Sequence, residues 1–147
     1  MKKFFLLFLI LIFYPSLATS NDTFLSLKKN KVNVRYGPGF DYEVKYIYRK
    51  KNLPVKVIDK KENFRKITDQ KKNSGWIHVS QLKKSKSFIA SEDKILFQKP
   101  SLFSKPIAKI QKGRLLINKK CKKKWCNVKT SDFEGWVTTE SIWGKVR

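Results

Sequence analysis

From Lys31 onward the chain alternates apolar and polar residues in short bursts: Val32-Asn33-Val34-Arg35-Tyr36, Val44-Lys45-Tyr46-Ile47-Tyr48, Val55-Lys56-Val57-Ile58, Phe64-Arg65-Lys66-Ile67 and Trp76-Ile77-His78-Val79. A period of two, with β-branched and aromatic side chains at the apolar positions, predicts half-buried strands. Turn-forming stretches separate them: Gly37-Pro38-Gly39, Lys51-Asn52, Lys60-Lys61-Glu62-Asn63 and Lys71-Lys72-Asn73-Ser74-Gly75. Beyond the first twenty residues no segment holds ten residues of clean helical periodicity. The pattern therefore predicts an all-β fold.

The second half repeats the plan. Ile95-Leu96-Phe97, Pro106 to Ile110, Leu115-Leu116-Ile117, Trp125 to Val128 and Gly135-Trp136-Val137 follow in the same order. Pro38 lies 26 residues before Phe64 and Pro100 lies 25 before Trp125, while Phe64 to Trp76 is 12 and Trp125 to Trp136 is 11. Single-residue differences in loop length are what an internal repeat allows. Two modules are expected, at 27–84 and 89–143, joined by the polar connector Lys83-Lys84-Ser85-Lys86-Ser87. A module of this size buries only about 60% of its unfolded-chain surface and is marginal alone. Packing between the copies should therefore stabilise both, with Phe88, Phe97 and Trp143 as candidates for the seam.

The N-terminus carries a different pattern. Met1-Lys2-Lys3 precedes an unbroken apolar run from Phe4 to Tyr14, followed by Pro15 and the small residues Ser16, Ala18 and Ser20. This is the layout of a secretory signal peptide over 1–20, with cleavage expected after Ala18 or Ser20. The run is too short for a membrane core that needs about 20 residues. The protein is thus expected to be exported, to the periplasm or the extracellular space.

Charge then narrows the partners. The whole chain carries a formal +23, and losing Lys2 and Lys3 with the signal leaves about +21. Such a field draws polyanions. Outside the cytoplasm these are anionic lipid head groups, lipopolysaccharide and cell-wall carboxylates, so nucleic acid is disfavoured as a partner. Only Arg35, Arg49, Arg65, Arg114 and Arg147 are arginines, and fork-like phosphate recognition prefers Arg to Lys. Lysines spread along the chain read first as a solvated surface. Their densest cluster, Lys119, Lys120, Lys122, Lys123 and Lys124, falls at a predicted hairpin tip and is the candidate anion-binding site.

Within that cluster, Cys121 and Cys126 flank Lys122-Lys123-Lys124-Trp125. A two-residue turn at Lys123-Lys124 would place them directly opposite each other on a hairpin, and an oxidising compartment favours a disulfide. Closing so short a loop contributes about 2 kcal/mol. Two Cys and one His cannot supply the roughly four ligands of a structural zinc site. No metal and no cofactor is expected.

The sharpest local pattern is Val32-Asn33-Val34-Arg35-Tyr36-Gly37-Pro38-Gly39-Phe40-Asp41-Tyr42, a strand leading into a Gly-Pro-Gly reversal. With the later Val55-Lys56-Val57 and the closing Gly75-Trp76-Ile77-His78, it resembles the bacterial SH3-like domain, a small barrel found in envelope proteins, in its stand-alone exported tandem form. The second module keeps Pro100-Ser101, Lys112-Gly113 and Gly135-Trp136-Val137, but Ile95-Leu96-Phe97-Gln98 stands in place of the Asn-Val-Arg segment. The resemblance implies two tandem SH3-like barrels and a binding module that contacts peptidoglycan peptides or an envelope protein. It places the ligand groove near the first long loop, at Tyr36, Phe40, Tyr42, Tyr46, Tyr48 and Trp76. Aromatic side chains provide contact area at small entropic cost. Tyr36 and Phe40 should be exposed beside the turn, whereas Tyr42 and Trp76 should be core residues. Arg35 should face solvent or buttress the loop.

Catalytic chemistry has little to work with. His78 is the only histidine, and a general base needs an oriented partner and a nucleophile in reach. Ser80 neighbours it without a surrounding motif, and the acidic residues fall mostly in predicted turns. The sequence therefore points to a non-enzymatic envelope binder or scaffold. The competing expectation is an electrostatic binder of anionic membrane surface or lipopolysaccharide, with an envelope-modifying enzyme third.

Overall fold

A computed structural model describes residues 23–145; the expected signal peptide, 1–20, lies outside the described residues. Fourteen strands and one single-turn 3-10 segment (Val79–Gln81) follow in sequence. The first module comprises β1 (Phe24–Leu27), β2 (Val32–Arg35), β3 (Val44–Tyr48), β4 (Pro54–Lys61), β5 (Phe64–Thr68), β6 (Ser74–His78) and β7 (Leu82–Lys84). The second comprises β8 (Ser87–Ala90), β9 (Lys94–Phe97), β10 (Pro106–Ile110), β11 (Leu115–Lys122), β12 (Trp125–Lys129), β13 (Glu134–Thr138) and β14 (Ile142–Gly144). The strand orders are β3-β2-β6-β5-β4-β1-β7 and β10-β9-β13-β12-β11-β8-β14. Each order is the other with seven added to every strand number. The chain is all-β, two tandem SH3-like modules, and the repeat read from landmark spacing is the repeat of the fold.

Alternation sets what each sheet buries. In the first module Leu27, Val32, Val34, Val55, Ile67, Ile77 and Leu82 form the core. In the second, Leu96, Leu116, Val128 and Val137 stand in the registers of Val34, Val55, Ile67 and Ile77, joined by Phe88 and Cys126. The glycine before each closing tryptophan has one cause. A Cβ on Gly75 would lie 2.4 Å from Val34 Cγ1 and 2.9 Å from the Arg35 carbonyl oxygen, and one on Gly135 would lie 2.7 Å from the Phe97 carbonyl oxygen. The sixth strand of each module crosses the second too closely for any side chain.

Three sequence expectations change. Lys60 and Lys61 are not turn residues: β4 runs through them, and only Glu62-Asn63 turn, with Glu62 at a φ of 47°. The polar connector is mostly strand, because β7 and β8 leave only Ser85-Lys86 between them. Of the three seam candidates, Trp143 alone crosses between modules, its ring meeting Phe24 edge-on at 5.3 Å. Phe88 belongs to the second core, and Phe97 meets Trp125 edge-on within its own module.

Polar contacts cross the seam as well. Ser26 and Ser87, both buried, join hydroxyl to hydroxyl at 2.8 Å. Ser87 donates onward to the Asn52 carbonyl at 2.5 Å, so the proton between the two serines comes from Ser26. Ser85 Oγ lies 2.9 Å from Ser26 Oγ, and Gln70 donates to Ser91 Oγ at 3.3 Å. A hydroxyl relay satisfied at both ends joins the two small cores, whereas the buried Trp143 Nε1 beside it has no hydrogen-bond partner.

Candidate ligand-binding site

The loop after β2 is built on Arg35. Its Nη1 donates to the carbonyls of Tyr42 (2.6 Å) and Phe40 (3.3 Å), and its guanidinium lies 5.5 Å from the centre of the Phe40 ring. Gly37 lets the loop close, since a Cβ there would fall 2.3 Å from the Tyr42 ring. The strand alternation that turns Arg35 away from the core thus makes it the loop's internal brace.

What the brace presents is aromatic. Tyr36 and Phe40 are 63% and 64% exposed, in line with the sequence. Tyr42, expected in the core, is 45% exposed: it packs on Gly37 within the loop rather than beneath it. Lys45 extends over Tyr36, 5.6 Å from the ring centre, and donates to the Ser74 carbonyl at 3.0 Å. Phe40 does not stand alone. Its ring meets buried Phe64 edge-on at 5.3 Å and tilted His78 at 5.0 Å, with Phe64 and His78 5.1 Å apart. Phe64 and His78 are direct cross-strand partners, so β5 and β6 supply a rigid base for the loop aromatic. His78 Nδ1 accepts the Ser80 amide at 3.3 Å and lies 2.8 Å from Ser80 Oγ, which fixes the ring plane. Neither Phe64 nor His78 stands out in the sequence as a site residue. Their pairing follows only from the β5–β6 register.

Of the other predicted aromatics, Trp76 shares the face of this cluster, and Tyr46 and Tyr48 separate from it. Trp76 is half-buried, not core: Gly75 and Ile77 take the inward positions, and Trp76 lies on the outer face in register with Arg35 and Lys66. Tyr46 and Tyr48 pack against the first core, with rings 5.2 Å apart and hydroxyls at 3.3 Å. The Tyr48 hydroxyl donates to Asp69 at 3.0 Å. Burial pushes both phenols above the ordinary tyrosine value. They shape the module from within.

The lysine cluster is divided as well. Lys119 pairs with Glu134 at 2.7 Å and Lys120 lies 5.7 Å from the Trp136 ring centre. Lys122, Lys123 and Lys124 stay exposed at the tip of the β11–β12 hairpin. The two-residue turn has Lys123 at a φ of 54°, Cys121 and Cys126 are direct cross-strand partners, and the disulfide is formed.

The second module lacks the braced loop. Phe97 occupies the register of Arg35 and Trp125 that of Phe64. Phe97 and Trp125 meet edge-on at 5.7 Å, and the 98–105 loop is held by its own contacts, Gln98 N–H to the Lys105 carbonyl and Lys99 N–H to Ser104 Oγ. Two modules of one fold therefore present different surfaces.

Residues 28–84 and 90–144 each match the family model described as the bacterial SH3 domain. No curated protein matches the chain. Among solved structures, NlpC2 from Trichomonas vaginalis is similar at 12% identity and a TM-score of 0.39, over 84% of this chain and 48% of that one. NlpC1 from the same organism is similar at 11% identity and a TM-score of 0.39, over 87% and 48%. The chain spans about half the length of both.

Proposed function

The chain belongs to the bacterial SH3 domain family, whose members are generally cell-wall binding modules, and from that premise we propose that it is an exported, non-catalytic protein that binds peptidoglycan through its first module. One observation carries this reading: exposed Phe40 and Tyr36 are held by an arginine-braced loop on a packed Phe64–His78 base. Aromatic area that is already ordered costs little to bury against a ligand. The extreme positive charge favours encounter with cell-wall carboxylates.

Co-sedimentation with isolated cell-wall sacculi tests it. The wild-type chain should be retained at 0.15 M salt, and the Tyr36→Ala/Phe40→Ala pair should weaken retention by about tenfold or more, the loss of roughly 1.4 kcal/mol or more expected of hot-spot aromatics. Wild-type protein left in the supernatant would remove peptidoglycan and leave an envelope protein as the partner.

A second reading, association with anionic membrane or lipopolysaccharide, is favoured by the three exposed lysines at the disulfide-closed hairpin tip. Binding to anionic vesicles should then fall steeply with salt, since screening shortens to about 8 Å at 0.15 M. Lys122→Gln/Lys123→Gln/Lys124→Gln should abolish it, while unchanged binding by that variant would discard the tip as the contact.

A further inference from the structure

We propose that the first module carries a second ligand site, a cleft for a single-chain amphiphilic anion, on the opposite side of β5 from the Phe40 face. Phe64 and Arg65 are sequence neighbours on β5, so their side chains leave opposite faces of the strand. Phe64 supports Phe40; Arg65 lines a cleft of about 690 Å³, within the size range of small-molecule sites. Leu25, Val57, Val79 and Leu82 supply its apolar wall. Lys60, Arg65, Lys83 and Lys84 also line it, against one carboxylate, Asp59. An apolar wall beside four cations and one acid suits a ligand with an alkyl chain and an anionic head.

The repeat provides an internal comparison. Leu25, which pairs with Val55, has Phe88 in its register in the second module, which pairs with Leu116. Lys60 and Arg65, cross-strand partners, have Cys121 and Cys126 in theirs. Phe88 and Cys126 are fully buried and join the second core, so a larger ring and a disulfide occupy the ground that the first module leaves open. What remains beside them is a polar recess of about 420 Å³ lined by Lys84, Ser85, Lys86, Asn118 and Lys119. One copy is plugged and the other is open and cationic.

Isothermal titration of the whole chain with dodecyl phosphate, below its micelle concentration, tests this. Saturable 1:1 binding is expected, at least tenfold weaker for octyl phosphate. Leu25→Phe, which copies the plug of the second module, should weaken dodecyl phosphate at least tenfold, and Arg65→Gln at least fivefold. Both variants should keep their sacculus retention, which separates this site from the Phe40 face. Lys122→Gln/Lys123→Gln/Lys124→Gln should bind dodecyl phosphate as wild type does. If Leu25→Phe fails to fold by circular dichroism, Arg65→Gln and Val57→Gln carry the test. No saturable binding by wild type, wild-type affinity in the cleft variants, or loss of binding in the tip variant would overturn the proposal.

Discussion

Phe88→Ala is expected to destabilise the chain by about 3–5 kcal/mol and to lower its melting temperature by roughly 10–20 °C, in one transition rather than two. The size of the effect follows from burial: Phe88 has no exposed surface and is the largest fully buried side chain among the described residues. The single transition follows from where Phe88 sits. It is flanked on β8 by Ser87, whose hydroxyl receives from Ser26 and donates to Asn52 of the first module, and it pairs with Gly144 beside Trp143, which meets Phe24. Loosening β8 loosens both modules, each too small to be secure alone. Calorimetry with amide exchange read separately at Ile67 and Val128 checks this. Unchanged protection at Ile67, with only the second module melting early, would mean that the seam does not couple the cores.

The fold was legible because its cause is local and repeated. Alternation in Val32-Asn33-Val34-Arg35 and Gly75-Trp76-Ile77-His78 marks strands, and the matched spacings from Pro38 to Phe64 and from Pro100 to Trp125 mark two copies. The strands that escaped, β1, β7, β8 and β14, are three or four residues long, too short to show a period. Lysine hid others: Lys60 and Lys61 read as turn because they are polar, yet exposed strand ends tolerate them well. The site was legible only in part. Tyr36 and Phe40 could be placed beside a Gly-Pro-Gly turn, but Tyr42 follows the irregular register between β2 and β3, and Trp76 faces outward because Gly75 and Ile77 take the inward positions. His78 and Phe64 meet Phe40 through the β5–β6 register, which alternation alone does not specify. Asp69 does lie at the turn between β5 and β6, but its burial there is not marked by the sequence.

Asp69→Ala is the second large effect, expected to cost about 2–4 kcal/mol. Four donors converge on its carboxylate: the Lys71 and Asn73 amides on Oδ1, and the Asn73 side chain and the Tyr48 hydroxyl on Oδ2, all at 2.9–3.0 Å. Removing it strands a half-buried phenol and two turn amides at once. Asp69→Asn should cost less, since one carbonyl oxygen remains as an acceptor. The second module suggests how the cost can be offset. Ile110 stands in the register of Tyr48 and Thr130 in that of Asp69, so an apolar side chain needs no acceptor and a hydroxyl suffices at the turn. Tyr48→Ile/Asp69→Thr should therefore be more stable than Asp69→Thr alone, a coupling that a double-mutant cycle in urea would measure. The pair should also change the response to alkali. In the folded chain burial holds Tyr48 neutral above the ordinary tyrosine range, whereas in the unfolded chain it ionises near pH 10. The unfolded state then binds fewer protons, so stability falls as pH rises through about 10. The double variant should lose part of that slope, and an unaltered alkaline limb would exclude Tyr48 as its source.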